Sequence, residues 1–333
     1  MLPFMLNGLR YLLICVLTLC VSAAMANPDR WAREWDKTDF EQHSVAYSEI
    51  LSGGPSKDGI PAIDEPKFLP ADLVSELGPD EPVIGLEIDG VARAYPLSIL
   101  IWHEIVNDQV GSTPVTVTYC PLCNSAIVFD RRVGDKVLDF GTTGKLRNSD
   151  LVMYDRQTES WWQQFLGEAI VGEMTGTRLT TIPARLESFA LFKQRYPKGE
   201  VLVPNNPGMR NYGYNPYSGY DGRSQPYGLF AGDLPDYIEP MARVVAFKLD
   251  GKPHGVALEL LRKTSPLEVG DVVLTWSKGQ NSALDGPVIK QGRDVGNIVV
   301  QKKTAGSLED IVYDVTFAFV FNAFHPELKI QQE

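Results

Sequence analysis

An internal repeat constrains the fold of this chain more than any other feature of its sequence. Three blocks of the first half recur in the second half in the same order. They are Val83–Gly90 with Val244–Gly251, Thr118–Ala126 with Thr275–Ala283, and Asp150–Asp155 with Asp310–Asp314. Three matches in one order predict a duplication, in which two related antiparallel halves pack with approximate two-fold symmetry.

The central stretch of the first half predicts a β-hairpin with two cysteines in its turn. Val115–Tyr119 alternates apolar residues with threonine, and Ala126–Phe129 is a second β-like run. Both patterns are typical of strands. The sequence Cys-Pro-Leu-Cys lies between them and carries Cys120 and Cys123. Asn124 follows at a position that such turns hold at positive φ, which asparagine tolerates better than most residues.

This placement favours a metal site over a thioredoxin-like site. A thioredoxin-like motif opens a helix whose N-terminus lowers the thiol pKa, and no helical pattern follows Cys123. A turn between two strands can aim both sulfurs at one ion, as in a zinc-ribbon knuckle. In the second copy Ser277 and Gln280 stand where Cys120 and Cys123 stand in the first. The scaffold therefore does not require the thiols.

One such turn supplies two ligands, so the metal hypothesis needs further ligands from elsewhere. His103 and Glu104 follow a predicted short helix, Leu97–Trp102, just before the hairpin. His325 ends an apolar segment, Phe317–Phe324, which we predict to be a strand. We predict one Cu or Zn ion held by Cys120, Cys123 and His103, with His325 or Glu104 as the fourth ligand. Glu104 is also the candidate catalytic base.

Two other functions fit the same residues. Cys120 and Cys123 could be the nucleophile and the resolving thiol of a redox protein. Alternatively, they could form a structural disulfide in a module that binds a glycan or peptide. The segment Tyr212–Tyr227 holds five tyrosines among Gly, Pro and Asn, and long loops of this kind are functional or disordered. We expect a small-molecule or protein partner near it.

The N-terminus predicts export. Arg10, the apolar run Tyr11–Val21 and the sequence Ala24-Met25-Ala26 form a signal peptide that is cleaved after Ala26. Cleavage also removes Cys15 and Cys20, so the mature chain is expected in the periplasm or outside the cell. The whole chain has a formal net charge of −11, which argues against nucleic acid as a partner. No later segment reaches transmembrane length.

The resulting organisation is a β-rich α+β fold with a few short helices. Its predicted parts are a signal peptide (1–26), a lead-in (27–60), the first half with the cysteine turn (61–200), a Tyr/Gly/Pro-rich loop (201–240) and a cysteine-less second half (241–333). We expect them to form one compact unit.

Long motifs in the chain resemble a bacterial family known as domain of unknown function 3179. They are IDGVARAYPL, WHEIVND, TYCPLCNSAIVFDR, NSDLVMYDRQTESWWQQ and the C-terminal AFHP. The resemblance covers Pro61–His325. It implies export, as for most members of the family, and it brings no established reaction.

Overall fold

The computed structural model describes residues 28–333 of the chain. The predicted signal peptide, with Cys15 and Cys20, lies outside these residues. Within them no helix is both long enough and apolar enough to cross a membrane. The predicted β-rich fold with a few short helices is confirmed.

The first part of the chain is mostly strand. Its elements, in order, are α1 (Pro28–Trp31), β1 (Ile50–Ser52), β2 (Lys67–Pro70), β3 (Pro82–Ile88), β4 (Val91–Pro96), α2 (Leu97–His103), β5 (Ile105–Val110), β6 (Thr113–Cys120), β7 (Ser125–Asp130), β8 (Arg132–Val133), β9 (Lys136–Val137), β10 (Phe140–Arg147), β11 (Asp150–Asp155), β12 (Trp161–Gln163), β13 (Glu168–Val171), β14 (Thr181–Ile182), β15 (Arg185–Ser188), α3 (Phe189–Arg195) and β16 (Glu200–Val203).

The second part contains fewer elements. They are β17 (Arg243–Leu249), β18 (Lys252–Ala257), α4 (Leu258–Thr264), β19 (Leu267–Val269), β20 (Val272–Ser277), β21 (Asn297–Lys303), β22 (Leu308–Asp310), β23 (Tyr313–Phe317) and α5 (Ala318–Phe324). Single 3-10 turns occur at Tyr47–Glu49, Tyr220–Gly222 and Ile289–Gln291.

These strands form several small sheets. The larger ones have the orders β1-β10-β11-β12-β13, β14-β7-β6-β5, β15-β3-β4-β16-β2, β18-β17-β23 and β19-β20-β21-β22. Neighbouring strands in them are antiparallel, except for the parallel pair β16 and β4. One large apolar cluster, which includes Val117, Phe129, Val245 and Phe317, spans both parts of the chain and forms the main core.

A hairpin followed by a short helix occurs in both parts. Asp89 and Gly90 connect β3 to β4 with φ of 55° and 79°, and Asp250 and Gly251 connect β17 to β18 with φ of 49° and 76°. Two positive φ values in a two-residue loop match the right-handed twist of paired strands, and Asp-Gly accepts them readily. Each hairpin leads into a helix, α2 or α4, as the sequence predicts for Leu97–Trp102.

Two predicted elements differ in the structure. The segment predicted as a strand over Phe317–Phe324 ends its strand at Phe317, and Ala318–Phe324 is helix α5. Short apolar runs fit a buried helix as well as a buried strand, so periodicity could not separate them. The predicted loop over 201–240 also begins late, because β16 includes residues 201–203.

Candidate functional site

The cysteine turn has the geometry that its sequence predicts. Strands β6 and β7 pair so that Cys120 lies opposite Ser125. The backbone N–H of Cys123 donates to the carbonyl of Cys120 at 3.2 Å, and Asn124 has φ of 52°. Both cysteines are buried and neither forms a disulfide. The two thiols therefore lie in the protein interior, at the closed end of the hairpin.

Strand β23, in the second half of the chain, holds this turn in place with hydrogen bonds. The side-chain amide of Asn124 donates to the carbonyl of Val315 at 2.6 Å. The carbonyl of Cys123 accepts from the hydroxyl of Thr316 at 2.9 Å and from the backbone N–H of Phe317 at 3.3 Å. Strand β23 thus fixes the backbone that carries both sulfurs.

Asp150 is the third member of the site. One of its carboxylate oxygens and the two sulfurs of Cys120 and Cys123 lie within 4.8 Å of one another. Asn148 and Ser149, with φ of 55° and 62°, form the tight turn from β10 that starts β11 at Asp150. The Cys120 thiol donates to the carbonyl of Ser149 at 3.7 Å. Two neighbouring turns thus bring the three side chains together.

The carboxylate of Asp150 is half-satisfied. Its Oδ2 accepts from the side-chain amide of Gln163 and from the backbone N–H of Phe165, the latter at 2.9 Å. Its Oδ1 is buried and has no hydrogen-bond partner among the described residues. Buried carboxylate oxygens in proteins are normally hydrogen-bonded or bound to an ion. Oδ1 is therefore available to a cation.

Glu104 lies beside this group in an uncommon backbone conformation. It caps helix α2 at φ 59° and ψ −30°, and its backbone bonds to Leu100 and Tyr119 at 2.7 and 2.8 Å. Non-glycine residues at positive φ are uncommon and are held there by the surrounding structure. Its side chain is buried, and the negative charges of Glu104 and Asp150 act on each other.

The pKa values of four buried acidic groups, Cys120, Cys123, Asp150 and Glu104, are all raised. Burial, and then the charge of Asp150, raises the pKa of Glu104 to about 8. Burial raises the pKa of Asp150 to about 7, and it also raises the pKa of both the Cys120 and the Cys123 thiol. A divalent ion bound by Cys120, Cys123 and Asp150, the three whose ligand atoms lie within 4.8 Å of one another, would displace their protons and offset the repulsion between the charged forms.

The structure does not place the two predicted histidine ligands in this group. The Nδ1–H of His103 donates to the carbonyl of Pro61 at 2.7 Å, so its Nε2 accepts from the hydroxyl of Tyr212 at 2.8 Å. Both ring nitrogens are therefore occupied. His325 caps helix α5 and packs against Phe165 and Phe321, with ring centroids 6.2 and 5.1 Å away.

The tyrosine-rich loop covers the cysteine turn. The hydroxyl of Tyr220 donates to the carbonyl of Leu122, between the two cysteines, at 2.9 Å. The indole N–H of Trp102 donates to the carbonyl of Tyr214 at 3.1 Å. Together with the Tyr212–His103 bond, these contacts pin the loop across the end of the hairpin.

Comparison with known proteins identifies a family and no function. A family model described as "Protein of unknown function (DUF3179)" matches residues 57–328. No curated protein and no solved structure matches the chain.

Proposed function

The chain belongs to the DUF3179 family, and we propose that it is a metal-binding protein that holds one ion with Cys120, Cys123 and Asp150. The observation that carries the proposal is the buried group of two thiols and a carboxylate with an unpartnered oxygen. No Lys, Arg or His side chain of the described residues is among the groups that shift the pKa values of Cys120, Cys123 and Asp150, so no protein cation lowers them. A metal ion supplies the missing positive charge.

The donor set favours zinc over copper. Zn(II) accepts thiolate sulfur and carboxylate oxygen in one tetrahedral site, whereas Cu(I) prefers sulfur and thioether donors. Three protein ligands leave one of the four coordination positions of a tetrahedral zinc open. Glu104 beside the group either closes that position, which makes a structural site, or serves as a base next to an open position, which makes a catalytic one.

The test is a metal and thiol count on the mature chain, purified without a His-tag. We expect about one equivalent of zinc in the unaltered protein and none in Cys120→Ser. Ser277→Ala, at the aligned position of the second half, serves as the matched control and should retain the metal. Copper in place of zinc would correct the choice of ion.

The redox hypothesis remains the second candidate, because the two sulfurs lie within 4.8 Å of each other and only Pro121 and Leu122 separate the cysteines in sequence. Raised thiol pKa values do not favour it, since thiolates are the reactive form. A reduced protein that takes up no zinc or copper after reconstitution contradicts the metal proposal. A chain isolated without metal and without free thiols would instead support a Cys120–Cys123 disulfide.

We also retain two broader proposals. Export with cleavage after Ala26 rests on the sequence alone. The internal duplication is supported by the repeated hairpin and helix, and by reciprocal packing of the halves. Strand β23 of the second half packs on β7, and β15 of the first half packs on β21, where Ser188 N–H donates to Asn297 at 2.7 Å.

A further inference from the structure

A cavity lies between the two halves of the chain, separate from the three metal-binding side chains. Its volume is about 400 Å³. Ile127, Phe165 and Leu166 line it from the first half, and Phe247, Phe324 and His325 line it from the second. Ligand sites occur preferentially between domains and typically measure about 300–1,000 Å³. The size and position of this inter-half cavity are those of a small-molecule site.

Aromatic rings shape one wall of the inter-half cavity. The rings of Phe165 and Phe324 stack with centroids 4.9 Å apart and an interplanar angle of 21°. His325 packs on this pair and on Phe321, which also lines the cavity. Flat rings gain both apolar burial and stacking energy on such a wall. The wall therefore suits a planar aromatic ligand.

The charged groups of the cavity favour a negatively charged ligand. Lys248 lines the cavity and makes no ion pair with any residue from 28 to 333. Arg178 also lines it, but its charge is paired with Glu168 at 2.6 Å, so Lys248 is the cation that a ligand can use. The cavity also contains one acid, Asp314. Its Oδ1 accepts from the backbone N–H groups of Ala126 and Val315, and its buried Oδ2 has no hydrogen-bond partner among residues 28–333, so a ligand carboxylate is expected at Lys248 and not at Asp314.

From the aromatic wall and the uncompensated lysine we propose that the inter-half cavity binds a planar aromatic carboxylate. The ring lies against Phe165 and Phe324, and the carboxylate lies toward Lys248. The ligand is held by both halves of the chain. Because the N–H of Phe165 bonds to Asp150, the cavity wall adjoins the metal site, but binding does not require the ion.

The test uses 2-naphthoate as the probe and uncharged 2-naphthol as its matched control, with calorimetric titration of the full mature chain. We expect one naphthoate per chain and about fivefold weaker binding of naphthol, as an exposed ion pair allows. Lys248→Gln should weaken naphthoate about fivefold and leave naphthol unchanged. Lys198→Gln, which makes the same change of charge far from the cavity, should change neither.

A second variant tests the cavity itself. Ala246 lines the cavity on strand β17, so Ala246→Phe should fill it and weaken both probes by about tenfold or more. Cys120→Ser should still bind naphthoate, which separates this proposal from that of the metal site. The proposal is overturned if naphthoate does not bind, or if it binds equally well to Lys248→Gln. Equal binding to a folded Ala246→Phe variant overturns it as well.

Discussion

The cysteine turn of the first half and the segment of the second half that aligns with it in sequence both follow a strand of an antiparallel sheet, but they differ in shape and contents. In the first, Cys120 and Cys123 are buried at a tight hairpin beside Asp150. In the second, β20 ends at the exposed Ser277, and the chain makes a long excursion before it returns in β21. The buried acids are thus not needed to build a half of this fold. Burying these acidic groups in the first half costs free energy, and a bound ligand best explains why they are there.

The largest effect is expected when the thiols are moved to the second half. The variant carries four substitutions: Cys120→Ser and Cys123→Ser remove the thiols from the first half, and Ser277→Cys and Gln280→Cys place them at the aligned positions of the second. Zinc affinity should stay at least about 100-fold below that of the unaltered protein, because Asp310, which aligns with Asp150, already bonds through both carboxylate oxygens to Arg185 at 2.6 Å. Competition with a chelator of known affinity measures it. Tight zinc binding by this variant would show that two thiols alone suffice.

The buried carboxyls should make the metal-free protein less stable as the pH rises. Unfolding lets Asp150 and Glu104 ionise near pH 4, whereas in the folded protein their pKa values are about 7 and about 8. The folded state thus keeps protons that the unfolded state releases. From about pH 4 up to its pKa in the folded protein, each group should lower the free energy of unfolding by about 1.4 kcal/mol per pH unit.

Urea unfolding of the reduced, metal-free chain at pH 5, 6, 7 and 8 checks this slope. Asp150→Asn should reduce the dependence of the unfolding free energy on pH below pH 7. Glu309→Gln, at an exposed acid of the second half, should leave that dependence unchanged. Saturating zinc should reverse the trend, because the ion binds the deprotonated groups. A slope equal in the unaltered chain and in Asp150→Asn would contradict the argument.

Asn124 and its aligned partner Asn281 should differ in their contribution to stability. Asn124→Ala places a Cβ-only residue at φ 52° and leaves the buried carbonyl of Val315 without its donor, which should cost about 3 kcal/mol. The side-chain amide of Asn281 donates to the carbonyl of Ile289 at 3.5 Å, and its short backbone bond to Asp80 survives substitution, so Asn281→Ala should cost under about 1 kcal/mol. Equilibrium unfolding in urea compares them directly.

The smallest effect is expected in the loop that covers the turn. Tyr220→Phe removes the hydrogen bond to Leu122 and should destabilise the protein by about 1 kcal/mol. It should also speed the release of zinc to a chelator. Tyr214 is 49 % exposed, so Tyr214→Phe should change stability by less than about 0.5 kcal/mol. Equal release rates in the two variants would mean that the loop does not gate the ion.

The hairpins and the cysteine turn could be predicted because their signals are local. Alternation gives the strands, and residues such as Asp89, Gly90 and Asn124 accept the positive φ that their turns require. The helix over Ala318–Phe324 could not be predicted, since a short run with a single polar residue, Asn322, has no polar face from which a period can be measured.

Sequence analysis also did not identify Asp150 as the buried acid next to the two thiols. Asp150 follows the polar turn residues Asn148 and Ser149 and begins a strongly apolar strand, which is a signal for a buried acid at a turn. The sequence analysis predicts the histidines as ligands because imidazole is a common metal ligand. Nothing in the sequence shows that the ring nitrogens of His103 are already occupied by Pro61 and Tyr212.

The bracing of the cysteine turn by β23 has a consequence for biosynthesis. Asn124 and Val315 are 191 residues apart in sequence, so their bond has a very high contact order. A ribosome makes the cysteines long before it makes the strand that holds them in place. The geometry of the cysteine turn is thus completed only when almost the whole chain has been synthesised, and a truncated product would carry both thiols without the support that orients them.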